Sequence, residues 1–180
     1  MFQHRMRAGT ASGVGRARWA GHSGSVSDSY IRVIPTDPGW QPTQKAAVAA
    51  VAYVAGLFAG PGDDVEEVEH RFYDRVTLID AGESTTRISC SRCDGEIGLR
   101  WFYDAAGDNE AGLGCLDARV PCCGAVVSLA TLRYDWPVGF ARFEVTAMNA
   151  TRAKYELDAE ELAHVTGLLG HLVTQILAHY

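Results

Sequence analysis

The chain lacks any apolar stretch of the roughly 20 residues that a helix needs to cross a bilayer. Its uncharged run Ala46–Ala59 stops at fourteen residues and reads as a core helix. Nor is there an apolar run near the start that could form the core of a signal peptide. No acid precedes Asp28, whereas Arg5, Arg7, Arg16 and Arg18 do. Gly9, Gly13, Gly15, Gly21 and Gly24 would break the amphipathic helix of an organelle-targeting leader, so residues 1–27 are expected to be a disordered basic leader. Also missing are a glycine-rich phosphate loop and a Ser or Cys nucleophile motif with identifiable partners. Cysteine is scarce and odd in number, at five. A disulfide framework would leave one unpaired, while a metal site uses four and leaves one free thiol, which points to a reducing, cytoplasmic setting.

Basic charge is short as well. Beyond the leader, 12 bases face 22 acids. Such a body repels nucleic acid on average, leaving the basic leader as the one segment suited to contact it. A partner protein with a basic surface suits the acidic body better, in the manner of an immunity protein neutralising a basic toxin.

What is present centres on four cysteines. Cys90-Ser-Arg-Cys93 and Pro121-Cys122-Cys123-Gly124 stand 28 residues apart. Two close pairs on tight turns can aim four thiolates at one tetrahedral ion, zinc by default, and Gly95 lets the first turn fold back over it. The expected ligands are Cys90, Cys93, Cys122 and Cys123. Adjacent ligands are unorthodox, so a set in which Cys115 replaces Cys122 or Cys123 stays open. Four thiolates leave no position for water or substrate, which makes the zinc structural. A redox dithiol at Cys90 and Cys93 is the competing reading, although Asp94-Gly95 interrupts the helix such motifs normally open.

Around this unit the pattern predicts an α+β fold: a small, mostly antiparallel sheet, two main helices on one face, and a zinc-ribbon-like insertion at 86–130 within a single domain at 28–180. Tyr30–Ile34 alternates as a strand up to Pro35, and Pro42 suits the first turn of a helix over Thr43–Ala59. Val48, Val51, Ala55 and Phe58 form that helix's expected core face, and Gly60-Pro61-Gly62 ends it. The acids of Asp63–Glu69 read as a solvated face. Phe72–Asp80 reads as a central strand, having two apolar faces. Within the insertion, Leu99, Phe102 and Ala106 space a short helix ended by Gly107-Asp108-Asn109, and Val126–Leu129 a return strand. Ala141–Asn149 alternates as a strand with one buried and one wet face. Asp158 and Glu161 make a capping box, with Leu157 and Leu162 as a staple, for a last helix Asp158–Tyr180. Its stripe runs Leu162, Val165, Leu169, Leu172, Val173, Ile176 and Tyr180, with His164, His171 and Gln175 opposite.

The cysteine pairs, the run Tyr134-Asp-Trp-Pro-Val-Gly-Phe-Ala-Arg-Phe143 and the last helix together resemble a family of uncharacterised bacterial zinc-ribbon proteins over roughly residues 30 to 180. The resemblance implies a unit kept together and brings no activity with it. The expected function is therefore that of a zinc-binding protein-interaction module. An enzyme with a pocket formed by Asp80, Glu83 and the Trp136 region is the alternative. Nucleic-acid binding through the leader is a further one.

Overall fold

A computed structural model describes residues 27–107 and 114–180. The leader, apart from Ser27, and the Asp108-Asn109 helix stop lie outside the described residues. In chain order the elements are β1 (Ser29–Pro35), α1 (Gln44–Gly56), β2 (Glu67–Ile79), β3 (Ile88–Ser89), β4 (Glu96–Ile97), α2 (Leu99–Ala106), β5 (Asp117–Arg119), β6 (Val126–Ser128), a 3-10 turn (Leu129–Thr131), β7 (Arg133–Tyr134), β8 (Gly139–Met148), α3 (Ala159–Leu169) and β9 (Val173–His179). The expected α+β class is what the chain adopts. Four antiparallel strands lie in the order β2-β8-β1-β9. Helices α1 and α3 cover one face, burying Ala47, Ala50, Val54, Val165 and Leu169 against Ile31, Val33, Phe143 and Val145.

Local chemistry explains most element boundaries, and tertiary packing explains the departures. Thr43 caps α1 by accepting a hydrogen bond from the Ala46 amide. Pro42 therefore sits just before the cap and not in the first turn. The buried face of α1 is Ala47, Ala50 and Val54, continuing to Phe58, while Val48 is 52% exposed. In a helix with few polar markers the period carries little phase information, and the alanine stripe is the one that lets the helix approach the sheet. The strand expected at Phe72–Asp80 begins earlier, at Glu67, and lies at an edge, not at the centre. Its register slips between Phe72 and Thr77. Beyond that bulge Leu78 packs into the core of the insertion and Ile79 into a cluster with Ile34 and Ala141, so both faces are apolar without a central position.

Strand β8 is one of the two inner strands, and the side chains of its expected wet face are buried: Glu144 is 4% exposed and Thr146 8%. The last helix is shorter than its stripe. The capping box forms as expected, but Gly170 takes a left-handed conformation (φ 82°) and its amide closes on the Thr166 carbonyl. After it, Val173–His179 pairs with β1 over seven positions. The helical spacing of Leu172, Val173, Ile176 and Tyr180 was coincidental, since a strand partner far away in sequence overrode it. His164 stacks on Tyr53, His171 lies against Trp40, and the Gln175 amide bonds both backbone groups of Leu157, so these three share no helix face.

Candidate metal centre

The insertion is assembled from strands of two or three residues, with β3 between β4 and β7 in one small sheet and β5 paired with β6 in another. Because β7 pairs with β3, the unit extends to Tyr134. Phe102 and Ala106 of α2 pack on Ile88, Ile97, Val120 and Leu129, and Cys90 is fully buried among them.

Each strand pair ends in a turn of one design. In the first turn the Cys90 amide donates to the Gly95 carbonyl at 2.9 Å and the Asp94 amide to the Cys90 carbonyl at 3.0 Å, with Asp94 at φ 58°. In the second the Val120 amide donates to the Ala125 carbonyl at 2.9 Å and the Gly124 amide to the Val120 carbonyl at 3.0 Å, with Gly124 at φ 70°. By this pattern Val120 corresponds to Cys90, Cys122 to Arg92 and Cys123 to Cys93. The place where a regular knuckle would carry its first cysteine is held by a valine, 1% exposed. The fourth thiol comes from Cys122 instead. Gly95 makes room for it, because a Cβ there would stand 2.8 Å from the Cys122 Cβ and 3.2 Å from the Cys93 sulfur.

All four expected sulfurs, those of Cys90, Cys93, Cys122 and Cys123, lie within 4.8 Å of one another. Cys90 and Cys123 are 4.0 Å apart and Cys93 and Cys122 3.5 Å. Four sulfurs about 2.3 Å from a central zinc would stand about 3.8 Å apart, so the donor set fits a tetrahedral ion. Cys115 is exposed at the start of the second half, where its sulfur accepts from the Asp117 amide, and it does not join the cluster. Backbone amides of Arg92 and Gly95 point at the sulfurs of Cys90 and Cys93, at 3.3 and 3.4 Å. Outside them, Arg119 donates to the Gly124 carbonyl at 2.6 Å and Arg133 pairs with Asp94, so a guanidinium braces each turn. Sequence reasoning did not find these two arginines. Arg119 stands three residues before Cys122, but Arg133 reaches the first turn only because β7 pairs with β3, which nothing local in the sequence marks.

The thiols are electrostatically unequal. The Arg92 amide, chiefly, lowers Cys90 to about 7. Desolvation, then the sulfurs of Cys93, Cys90 and Cys123, push Cys122 up to about 12. Much of Cys122 is exposed, but its sulfur faces the other three. A divalent cation at the centre would hold all four as thiolates and offset their repulsion.

The residues of the enzyme alternative do not meet. Asp80 accepts from the Gly82 amide at 2.7 Å and from the Tyr180 hydroxyl at 2.5 Å. The backbone amide of Glu83 bonds the His179 carbonyl. Trp136 donates its indole N–H to the Leu177 carbonyl at 2.8 Å, closing part of the outer edge of β9, beside a hollow of about 240 Å³ that Asp80 and Glu83 do not line. Among the described residues no helix is long and apolar enough to cross a membrane. Comparison with models of known protein families, with curated proteins and with solved structures finds no match to this chain.

Proposed function

We propose that Cys90, Cys93, Cys122 and Cys123 hold one zinc ion per chain, and that its role is structural. The observation behind this reading is the closed set of four sulfurs at mutual distances suited to a tetrahedron. All-thiolate tetrahedral sites take zinc or iron, and zinc brings no redox chemistry and no open position when four sulfurs surround it. The ion fixes a unit whose strands are too short to persist alone. Free thiols at all five cysteines favour a reducing, cytoplasmic compartment. The knuckles, with the Tyr134–Phe143 run that carries the chain from β7 into β8, would then be the hallmark of a zinc-ribbon family.

The deciding experiment is metal analysis of protein purified without added metal. One zinc per chain is expected, kept by Cys115→Ser and lost, together with stability, in Cys123→Ser. Iron in its place would refute the metal assignment, and a fold indifferent to Cys123→Ser would refute the structural role. The excess of ten acids over bases beyond the leader supports a second proposal, that the body engages a basic protein partner. Affinity capture should recover a specific basic protein, and capture that recovers none counts against it.

A further inference from the structure

The four-stranded sheet has two edges, and the chain's own loops cap one of them. Along β9 the Trp136 indole occupies the Leu177 carbonyl, while the Ala81 carbonyl and the Glu83 amide occupy the amide and carbonyl of His179. Strand β2 forms the other edge. The Asn149 amide bonds the Ser29 carbonyl, so by alternation Ala147 and Val145 address β1, and Met148, Thr146 and Glu144 address β2. Glu67, Glu69 and Arg71 stand opposite those three, which turns the amides and carbonyls of Val68, His70 and Phe72 outward. Among the described residues no other element bonds these outward groups.

An open edge is a template for a further strand. Here the register is unbroken from Glu67 to Phe72, and the stretch contains no Pro, Gly or Lys to deter pairing. Its side chains divide by face. Val68, His70 and Phe72 lie on the side of the helices, where His70 and Phe72 stand beside Phe143. Phe72 is 38% exposed, and so is 52% of Val48, one turn along α1 from the Gln44 amide that touches His70. Glu69 and Arg71 lie on the opposite, open face, 3.3 Å apart and both well exposed. The other charges near them are engaged or remote: Arg32 pairs with Glu144 at 3.6 Å, Asp80 accepts from the Gly82 amide and the Tyr180 hydroxyl, and Glu66, Asp74 and Arg75 lie outside the unbroken stretch.

What complements this edge is a second copy of itself. An antiparallel pair with its two-fold axis at His70 joins His70 to its own copy and Val68 to the partner's Phe72, so every outward amide and carbonyl of the stretch is used. The same register sets Glu69 against the partner's Arg71, and by symmetry Arg71 against the partner's Glu69, which makes a cluster of four alternating charges. Glu67 then lies opposite the partner's Tyr73. Moving the axis to Glu69 keeps an attraction between Glu67 and the partner's Arg71 but sets Glu69 against its own copy. Moving it to Arg71 sets two guanidiniums together. Either shift also leaves an outward residue facing one beyond the unbroken stretch. We propose that β2 joins a second copy of this chain edge to edge, in a symmetric dimer centred on His70 that doubles the four-stranded sheet. This interface is independent of the metal reading and of a basic partner.

Sedimentation velocity of the full chain, as purified with its metal, tests the proposal across the micromolar range. A concentration-dependent dimer is expected. Glu69→Arg and Arg71→Glu should each raise its dissociation constant at least about tenfold, because each sets like charges opposite one another at two places. Mixing the two variants in equal amounts should restore the dimer, since every facing pair across the axis is then opposite in sign. A chain that stays monomeric at hundreds of micromolar would overturn the proposal, as would a dimer that both variants leave intact or a mixture that associates no better than either variant alone. The side chains of Arg71 and Glu69 are 59% and 49% exposed, so their replacement leaves both cores untouched, and the unaltered chain gives its own answer whether or not a variant folds.

Discussion

One residue, Val120, accounts for the most unusual feature of the metal centre. Its backbone makes the hydrogen bonds that Cys90 makes in the other turn, so its side chain holds the place of a ligand and the thiol is supplied two residues later. A cysteine at 120 should therefore substitute for one at 122. Cys122→Ser alone is expected to lose zinc in competition with a chromogenic chelator, and Val120→Cys combined with Cys122→Ser to recover most of it. A double variant no better than the single one would show that the two turns are not equivalent. Tyr73 offers a second test at this scale. Burial first, then the Glu144 carboxylate, raises its pKa above the ordinary 10. Burial likewise raises Tyr134 and Tyr180. A phenol that ionises later in the folded state contributes stability that is complete below the ordinary pKa and is lost as pH rises through the raised one. Followed by phenolate absorbance, Tyr73→Phe should remove part of the late, high-pH step and leave the earlier part of the titration unchanged. Loss from the early step instead would mean that Tyr73 is not held as described.

At the scale of elements, the join between α3 and β9 separates what the sequence discloses from what it hides. The start of α3 was legible because a capping box is a local device: Asp158 accepts from the amides of Glu160 and Glu161 while Glu161 accepts from that of Asp158. Strand β9 was not, because its partner β1 lies more than a hundred residues away and Leu172, Val173, Ile176 and Tyr180 happen to fall at helical intervals. The metal ligands follow the same division. Cys90, Cys93, Cys122 and Cys123 were expected together from their spacing, whereas the reason that Cys122 and not Cys115 joins the cluster lies in the backbone geometry around Val120 and in the room left by Gly95, which no spacing encodes. Glu144 and Arg32 meet only through strand register, and nothing in either neighbourhood marks them. Gln175 ties β9 to the start of α3 through paired bonds to the Leu157 amide and carbonyl at 3.0 and 2.9 Å. Gln175→Met keeps the length and removes both bonds beside a residue only 2% exposed. It should lower stability by roughly 2 kcal/mol, read as a lower urea midpoint at constant slope. An unchanged midpoint would mean that solvent replaces the side chain at no cost.

At the scale of the molecule, the described residues form two principal cores. One lies between α1, α3 and the four-stranded sheet, and the other lies inside the insertion, reaching the sheet through Val76 and Leu78 near the end of β2 and Phe140 at the start of β8. The first is built from strands of seven to thirteen residues and two helices, and its hydrogen-bonded pairs run along the length of β1 and β8. The second rests on strands of two or three residues with α2, and Cys90 is one of its fully buried members. Metal binding in such a unit is folding free energy, so on the structural reading removal of the ion would remove the term that holds the second core together. The first core contains none of the four cysteines, and proteins open in cooperative units that follow such divisions. Hydrogen exchange after treatment with a strong chelator should therefore show lost protection at Ile88, Cys90, Ile97 and Val120, while Ile31, Val33 and Val145 stay protected. If protection is lost everywhere at once, the two cores form one cooperative unit and the zinc supports the entire fold. If none is lost, the ion is dispensable and the four thiols are free for other chemistry.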